Sequence, residues 1–241
     1  MNTEKKATAQ TTEEIFVDVS TEAKSVIDAI QSRHSIRNFL DRPVEPEKLQ
    51  SILENALRAP SWKNAQPWKV HVLTGQARDR MSAALKEAAL NGTPHPETPW
   101  LESYPANIKK RMFDLGMRVY GVARIERKDK EARDRFMLRN FEFFDAPVAL
   151  FITSTLETNF FVGIDIGCFL ESLMLLCRHH GLGSCPQAAL GAFPEVVKAQ
   201  LSLPQDERVI CGLSLGYPDN TDLNRFHSPR ESLDSLVQFY S

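Results

Sequence analysis

The chain has 241 residues, 42% of them hydrophobic, with 29 Lys+Arg against 31 Asp+Glu and a net charge of −2. At that length roughly 70% or more of the unfolded surface is buried on folding, so neither disulfides nor a metal is needed to hold a core. The near-neutral balance excludes polyanion binding as the main task, since nonspecific affinity for nucleic acid or a membrane surface comes from a basic excess.

Residues 1–20 have no apolar h-region and no small-residue cleavage site, which excludes a secretory signal and predicts a mobile polar tail ahead of a single domain over 21–241. Thr21 to Gln31 places Ala23, Val26, Ile27 and Ile30 on one side of a helix, with Ser20 or Thr21 as N-cap. A second helix is predicted over Pro46 to Ala59, and Pro60 ends it. The loop APSWKNAQPW leads into KVHVLTG, a strand in whose register Trp68 reads as core. Gln76 to Leu90 is a further predicted helix, and the Pro-rich run Asn91 to Pro105 is a loop or lid.

Ile108 to Phe144 reads as two helices split near Lys128, and VALFITS after Pro147 as a central strand. The helix Phe161 to His180 is apolar nearly all round, with Gly163 and Gly167 leaving room for close approach of another backbone, as in a dimer. Its longest apolar stretch, Ile166 to Cys177, is cut by Glu171 and falls short of the ~20 residues that cross a bilayer, so no membrane span is expected. His179 and His180 read as exposed cations at the helix end, and the GLG that follows as a helix C-cap. PEVVKAQLSLP is a short helix and RVICGLSLGYP a strand, after which Leu233, Leu236, Val237 and Phe239 call for a docked C-terminal segment. Cys168, Cys177, Cys185 and Cys211 form no C-x-x-C pair and lie among apolar residues, as reduced core thiols of a cytoplasmic protein do.

P-loop, nucleophile-elbow and H-E-x-x-H signatures are absent, and the lone GLG lacks the third glycine of a dinucleotide fingerprint. Arg33, His34, Ser35 and Arg37 combine two guanidinium groups, an imidazole and a hydroxyl where a helix gives way to extended chain. Such a set can gather on a dianionic phosphate. A solvated basic turn carries the same residues, so these four residues alone leave both readings open.

RHSIRNFLDRPV, APSWKNAQPWKVHVLTG, NFEFFDAPVALFITS, GLGSCPQAALGAFPEVVKAQLSLP and RVICGLSLGYPD follow one another in the chain. In content, order and spacing these blocks resemble the FMN-dependent nitroreductase family, over about Ser25 to Asp234, and YPANIKKRMFDLGMRVYGVARIERKDKEARDRFMLRNFEFFDAP is similar to its nitrobenzoate and nitroaromatic reductase branch. The resemblance implies an α+β fold, a central mainly antiparallel sheet flanked by helices in an intertwined homodimer, with FMN at each of two subunit interfaces. It implies that Arg33, Ser35 and Arg230 hold the FMN phosphate, His34 the ribityl region and Arg37 the pyrimidine edge. Pro60, Ser61, Trp62, Asn64 and Gln66 would line the cofactor from the other subunit. Pro186, Gln187 and Ala188 would run over the ring with the Ala188 N–H toward N5, and Asn140 would lie at the ribityl or pyrimidine edge. Some relatives carry an acidic residue and a glycine where this chain has Ala188 and Ala189.

The activity so implied is ping-pong hydride transfer from NAD(P)H through FMN to a small aromatic nitro compound, with no side-chain acid or base required. Arg37 would stabilise the negative charge of reduced flavin, and Trp100, Tyr104 and Phe113 are candidates for stacking on the substrate. The alternatives are a reductive dehalogenase, whose loop after Ser61 favours glycine where Trp62 stands, a quinone reductase of the same fold, or a flavin-binding protein without turnover.

Overall fold

The computed structural model describes residues 21–241, so the expected N-terminal tail lies outside the described residues. Four strands, β1 (Lys69–Thr74), β2 (Val148–Ser154), β3 (Gly183–Gln187) and β4 (Arg208–Gly216), form an antiparallel sheet in the order β1-β2-β4-β3. All seven residues of β2 are buried, because the pleat sends alternate side chains into two separate cores. Ala149 and Phe151 join Ile36, Phe39, Met81, Leu85 and Phe143 on one face. Val148, Leu150 and Ile152 join Ile52, Trp68, Ile166 and Phe169 on the other.

The first face is covered by α3 (Gly75–Asn91), the 3-10 segment Arg139–Asp145 and α7 (Pro194–Leu201). The second is covered by α2 (Pro46–Ala56) and α6 (Phe160–His179). Trp68 is core as expected, stacked on Phe169 with ring centroids 5.1 Å apart. Asn91 to Pro105 carries no helix beyond the end of α3, in keeping with the expected lid, and the two helices after it are α4 (Ala106–Val122) and α5 (Lys130–Leu138).

Several expectations are corrected. The first helix, α1 (Val26–Ser32), starts later than Thr21 because Ser25 is its N-cap, the hydroxyl accepting from the Asp28 N–H at 3.1 Å. Residues 183–187 form an edge strand that the Gly- and Pro-containing run does not advertise. Gly183 is what lets the chain before it lie flat there, since a Cβ would meet Ile36 Cγ1 at 2.6 Å. The C-cap reading of GLG holds in that Gly181 has φ +69°, in the left-handed region. His180, however, is half-buried, and burial with the charges of His179 and Lys48 lowers its pKa, so it is not a helix-end cation at neutral pH.

Helix α6 is also longer than the Ile166 to Cys177 stretch: at 20 residues it is apolar enough by length and composition to cross a bilayer. Its position is nevertheless that of a core helix, with Ile166, Phe169 and Leu173 buried beneath the sheet. It is not buried all round, because Phe160, Phe161 and Ile164 stay exposed. The same holds for Leu233, Leu236, Val237 and Phe239, which this chain leaves uncovered instead of docked.

Candidate functional site

The Arg33–Arg37 segment leaves the end of α1 and runs along β3, where Ser35 bridges to Ser184 and the Ile36 N–H donates to the Ser184 carbonyl at 3.0 Å. A second anchor comes from the far end of the chain. Asn224, fully buried in α8 (Asp222–Arg225), accepts the Arg37 N–H on Oδ1 at 2.8 Å and donates to the Asn38 and Asp219 carbonyls. His34 faces the Ser32 carbonyl with Nδ1 and the Asn224 carbonyl with Nε2. Burial holds its pKa below the ordinary value, although both carbonyls favour the protonated ring.

The ring of His227 packs edge-on against His34, with centroids 5.2 Å apart. Burial lowers its pKa, with the charges of Arg230 and Arg33 acting in the same direction and the backbone of Gln31 and Arg33 favouring the protonated ring. Its Nε2 is buried without a hydrogen-bond partner among the described residues. Arg33 meets Glu171 at 3.5 Å and Met174 Sδ at 3.8 Å, whereas Arg230 bonds only to oxygens of its own turn, Ser228 and Pro229. Burial raises the Cys185 thiol pKa, and the opposing effects come from Arg37 and Ser35, which sit beside it. A run of five residues and one distant Arg are thus gathered at the β3 edge, with an unsatisfied imidazole nitrogen between them.

Asn140 and Gln187 meet directly, Gln187 Nε2 donating to Asn140 O at 2.9 Å and Oδ1 at 3.2 Å. Gln187 Oε1 accepts from Ser214 at 2.5 Å, and Asn140 Nδ2 donates to the Met137 carbonyl at 2.9 Å. Both side chains are committed to protein partners. Pro186 is half-buried and Ala188, at the end of β3, is exposed.

The loop Pro60–Gln66 is placed elsewhere along α6. The Trp62 N–H donates to the buried Asp165 carboxylate at 3.0 Å and its ring stacks on Phe161 at 5.3 Å, while Ser61 Oγ accepts from the Gln66 N–H. Lys63, Asn64 and Gln66 all have positive φ, of 51°, 60° and 47°. Such strain in non-glycine residues persists only where surroundings enforce it, and it clusters at functional sites.

Of the predicted stacking residues, Trp100 lines a cavity of about 400 Å³ together with Leu90, Met137, Phe141, Ala189 and Phe193. Tyr104 is half-buried in the same loop. Phe113 lies on α4 beneath the Arg127 guanidinium, outside the cavity. Sequence reasoning missed Asn224 and His227: the first carries no local signal, while the second stands three residues before Arg230.

The model of the nitroreductase family matches residues 30–217. The chain belongs to the nitroreductase family. It is 34% identical over 211 residues to a 4-nitrobenzoate reductase of Pseudomonas putida, covering 87% of this chain and 93% of that one. To a nitrobenzene nitroreductase of Ectopseudomonas oleovorans it is 38% identical over 202 residues, covering 80% and 87%. Among solved nitroreductases, the FMN- and NADPH-dependent NfnB of sphigopyxis sp. strain HMH superposes with a TM-score of 0.87 at 33% identity, covering 90% of this chain and 99% of that one. The FMN-dependent NfnB of Mycobacterium smegmatis in complex with NADPH gives 0.86 at 30% identity, over 88% and 96%. The α+β nitroreductase fold expected from the sequence is therefore the fold of this chain.

Proposed function

We infer that this nitroreductase-family protein is an FMN-dependent NAD(P)H oxidoreductase for small aromatic nitro compounds, acting in the cytoplasm as a homodimer, with residues 21–241 as one domain. The observation that carries the reading is the basic cluster beside the β3 edge, where the charges of Arg230 and Arg33 both act on the half-buried His227, whose Nε2 has no hydrogen-bond partner among the described residues. A phosphate dianion is what two guanidinium groups, a hydroxyl and an unsatisfied imidazole fit. Arg33, Ser35 and Arg230 would hold the FMN phosphate, His34 and Asn140 would border the ribityl chain, and Arg37 would face the pyrimidine edge. Asn140 and Gln187 orient one another, so their contribution is a fixed wall. The FMN supplies hydride acceptance from NAD(P)H and hydride delivery to the nitro group. The chain's own part is to bind, to hold the Ala188 N–H in place and to exclude water with the apolar walls beneath Trp100.

The homodimer reading rests on surface that one chain leaves bare. Phe160, Phe161 and Ile164 of α6 are exposed, as are Leu236, Phe239 and Tyr240 near the C-terminus, and a Cβ at Gly163 or Gly167 would meet open space. Large apolar side chains left exposed in such number mark an interface. A second copy would cover it and bring its Pro60–Gln66 loop to the FMN. Four free cysteines support a reducing compartment.

The test is anaerobic. Purified protein is yellow and heat releases FMN, NAD(P)H bleaches it, and nitrobenzenes restore the colour faster than quinones or halophenols do. Released FAD would refute the cofactor assignment, and a chromophore that NAD(P)H leaves oxidised would favour the flavin-binding protein without turnover.

A further inference from the structure

The loop over the cavity is tied down just before Trp100. Lys198 of α7 is 4% exposed, and its ammonium donates to Glu97 Oε1 at 2.7 Å and to the Gln205 carbonyl at 2.9 Å. The other Glu97 oxygen accepts the Val209 N–H at 2.8 Å, and two residues earlier the His95 N–H donates to the Ala192 carbonyl at 3.0 Å. A carboxylate in the middle of the Asn91–Pro105 loop is thus fixed to both α7 and the start of β4. Three residues on, Trp100 lines the cavity whose opposite walls, Ala189, Ala192 and Phe193, lead from β3 to α7. The intervening residue Pro99 restricts the backbone between anchor and ring.

Burying Lys198 is costly unless it stays paired, and an arrangement that satisfies both Glu97 oxygens fixes position more than it adds stability. We propose that the Glu97–Lys198 pair is the positioning clasp of the acceptor pocket: it holds Trp100 over the cavity so that the ring of an aromatic acceptor is sandwiched there. The clasp acts on acceptor binding alone. It touches none of the residues assigned to FMN, and its removal leaves reduction by NAD(P)H untouched. This rests on the reductase reading above.

The double variant Glu97→Ala/Lys198→Met removes the clasp without leaving a buried unpaired ammonium. In the holoenzyme it raises KM for nitrobenzene about tenfold with kcat unchanged, as loss of orientation does. The rate of bleaching by NAD(P)H stays at the wild-type value. Adding Trp100→Ala to it raises KM no further, because both changes remove one interaction. Chymotrypsin cuts the double variant after Trp100 or Leu101 faster than the wild type. An unchanged KM, or one that rises again on adding Trp100→Ala, overturns the proposal, and Glu97→Gln carries the same comparison if the double variant does not fold. Wild-type protein that NAD(P)H does not bleach defeats the reductase reading instead, and the cleavage rates then decide the clasp: faster in the variant sustains it, equal rates overturn it.

Discussion

Two basic segments converge on the β3 edge, and they are held in opposite ways. The one containing His34 and Arg37 is bonded to Ser184 on one side and Asn224 on the other, so its backbone is fixed before anything binds. Arg230 is exposed and, among the described residues, its guanidinium bonds to oxygens of its own turn, while Glu231 beside it meets Arg111 of α4 at 3.5 Å. A preorganised segment sets geometry without further ordering, while a loose cation adds charge at an entropic cost met on binding. The contrast assigns shape to the first and affinity to the second.

The largest effect is expected where the fixed half is broken. Asn224→Ala strands the Arg37 N–H and removes one of the two donors to each of the Asn38 and Asp219 carbonyls, which costs roughly 2–4 kcal/mol in urea denaturation and yields colourless protein. A loss below about 1 kcal/mol would show that the segment does not depend on Asn224. Arg230→Ala probes the loose half: stability in urea is unchanged, and FMN affinity falls about 10- to 150-fold, equivalent to roughly 1.5–3 kcal/mol. The variant purifies pale and regains activity with excess FMN, so full retention of flavin through dialysis would end the distinction.

The smallest effect concerns His34 and pH. Its pKa is lowered in the fold by burial, so the stability gained by keeping it neutral is complete above its ordinary value of 6.5 and is lost as pH falls through its folded value. Thermal scans of wild type and His34→Gln should therefore converge as pH drops below 6.5, and a constant Tm difference would contradict this.

Most of the fold was legible because the local signals agree with the global result. Pro46 opens α2, Pro60 follows its end, and the uninterrupted VALFITS is the strand with a core on each face. What stayed hidden depended on distant partners. Gly183 to Gln187 is a strand only because β4 offers an unpaired edge, and Ser25 outcompeted Thr21 as a cap while Ala23 was drawn to the Arg178 carbonyl. The site divides along the same line. Arg33 to Arg37 stood out as a dense run, whereas Asn224, Glu97 and Lys198 are ordinary polar residues whose importance arises from burial and pairing. Gly163 and Gly167 suggest close approach of a second copy of the chain, but the extent of the bare surface on α6 and the C-terminus was not legible, since periodicity reports an apolar face and not what covers it.

The four thiols have a chemical consequence for a catalyst of this type. Burial pushes Cys177 and Cys211 up to about 12 and raises Cys185, which also has Arg37 and Ser35 beside it. A nitroso compound, the two-electron product of nitro reduction, is an electrophile at nitrogen that captures cysteine sulfur, and thiolate is the reactive form of cysteine. Keeping Cys177, Cys185 and Cys211 protonated makes these sulfurs poor prey for such a product, so turnover should end with exhaustion of NAD(P)H before thiol capture sets in.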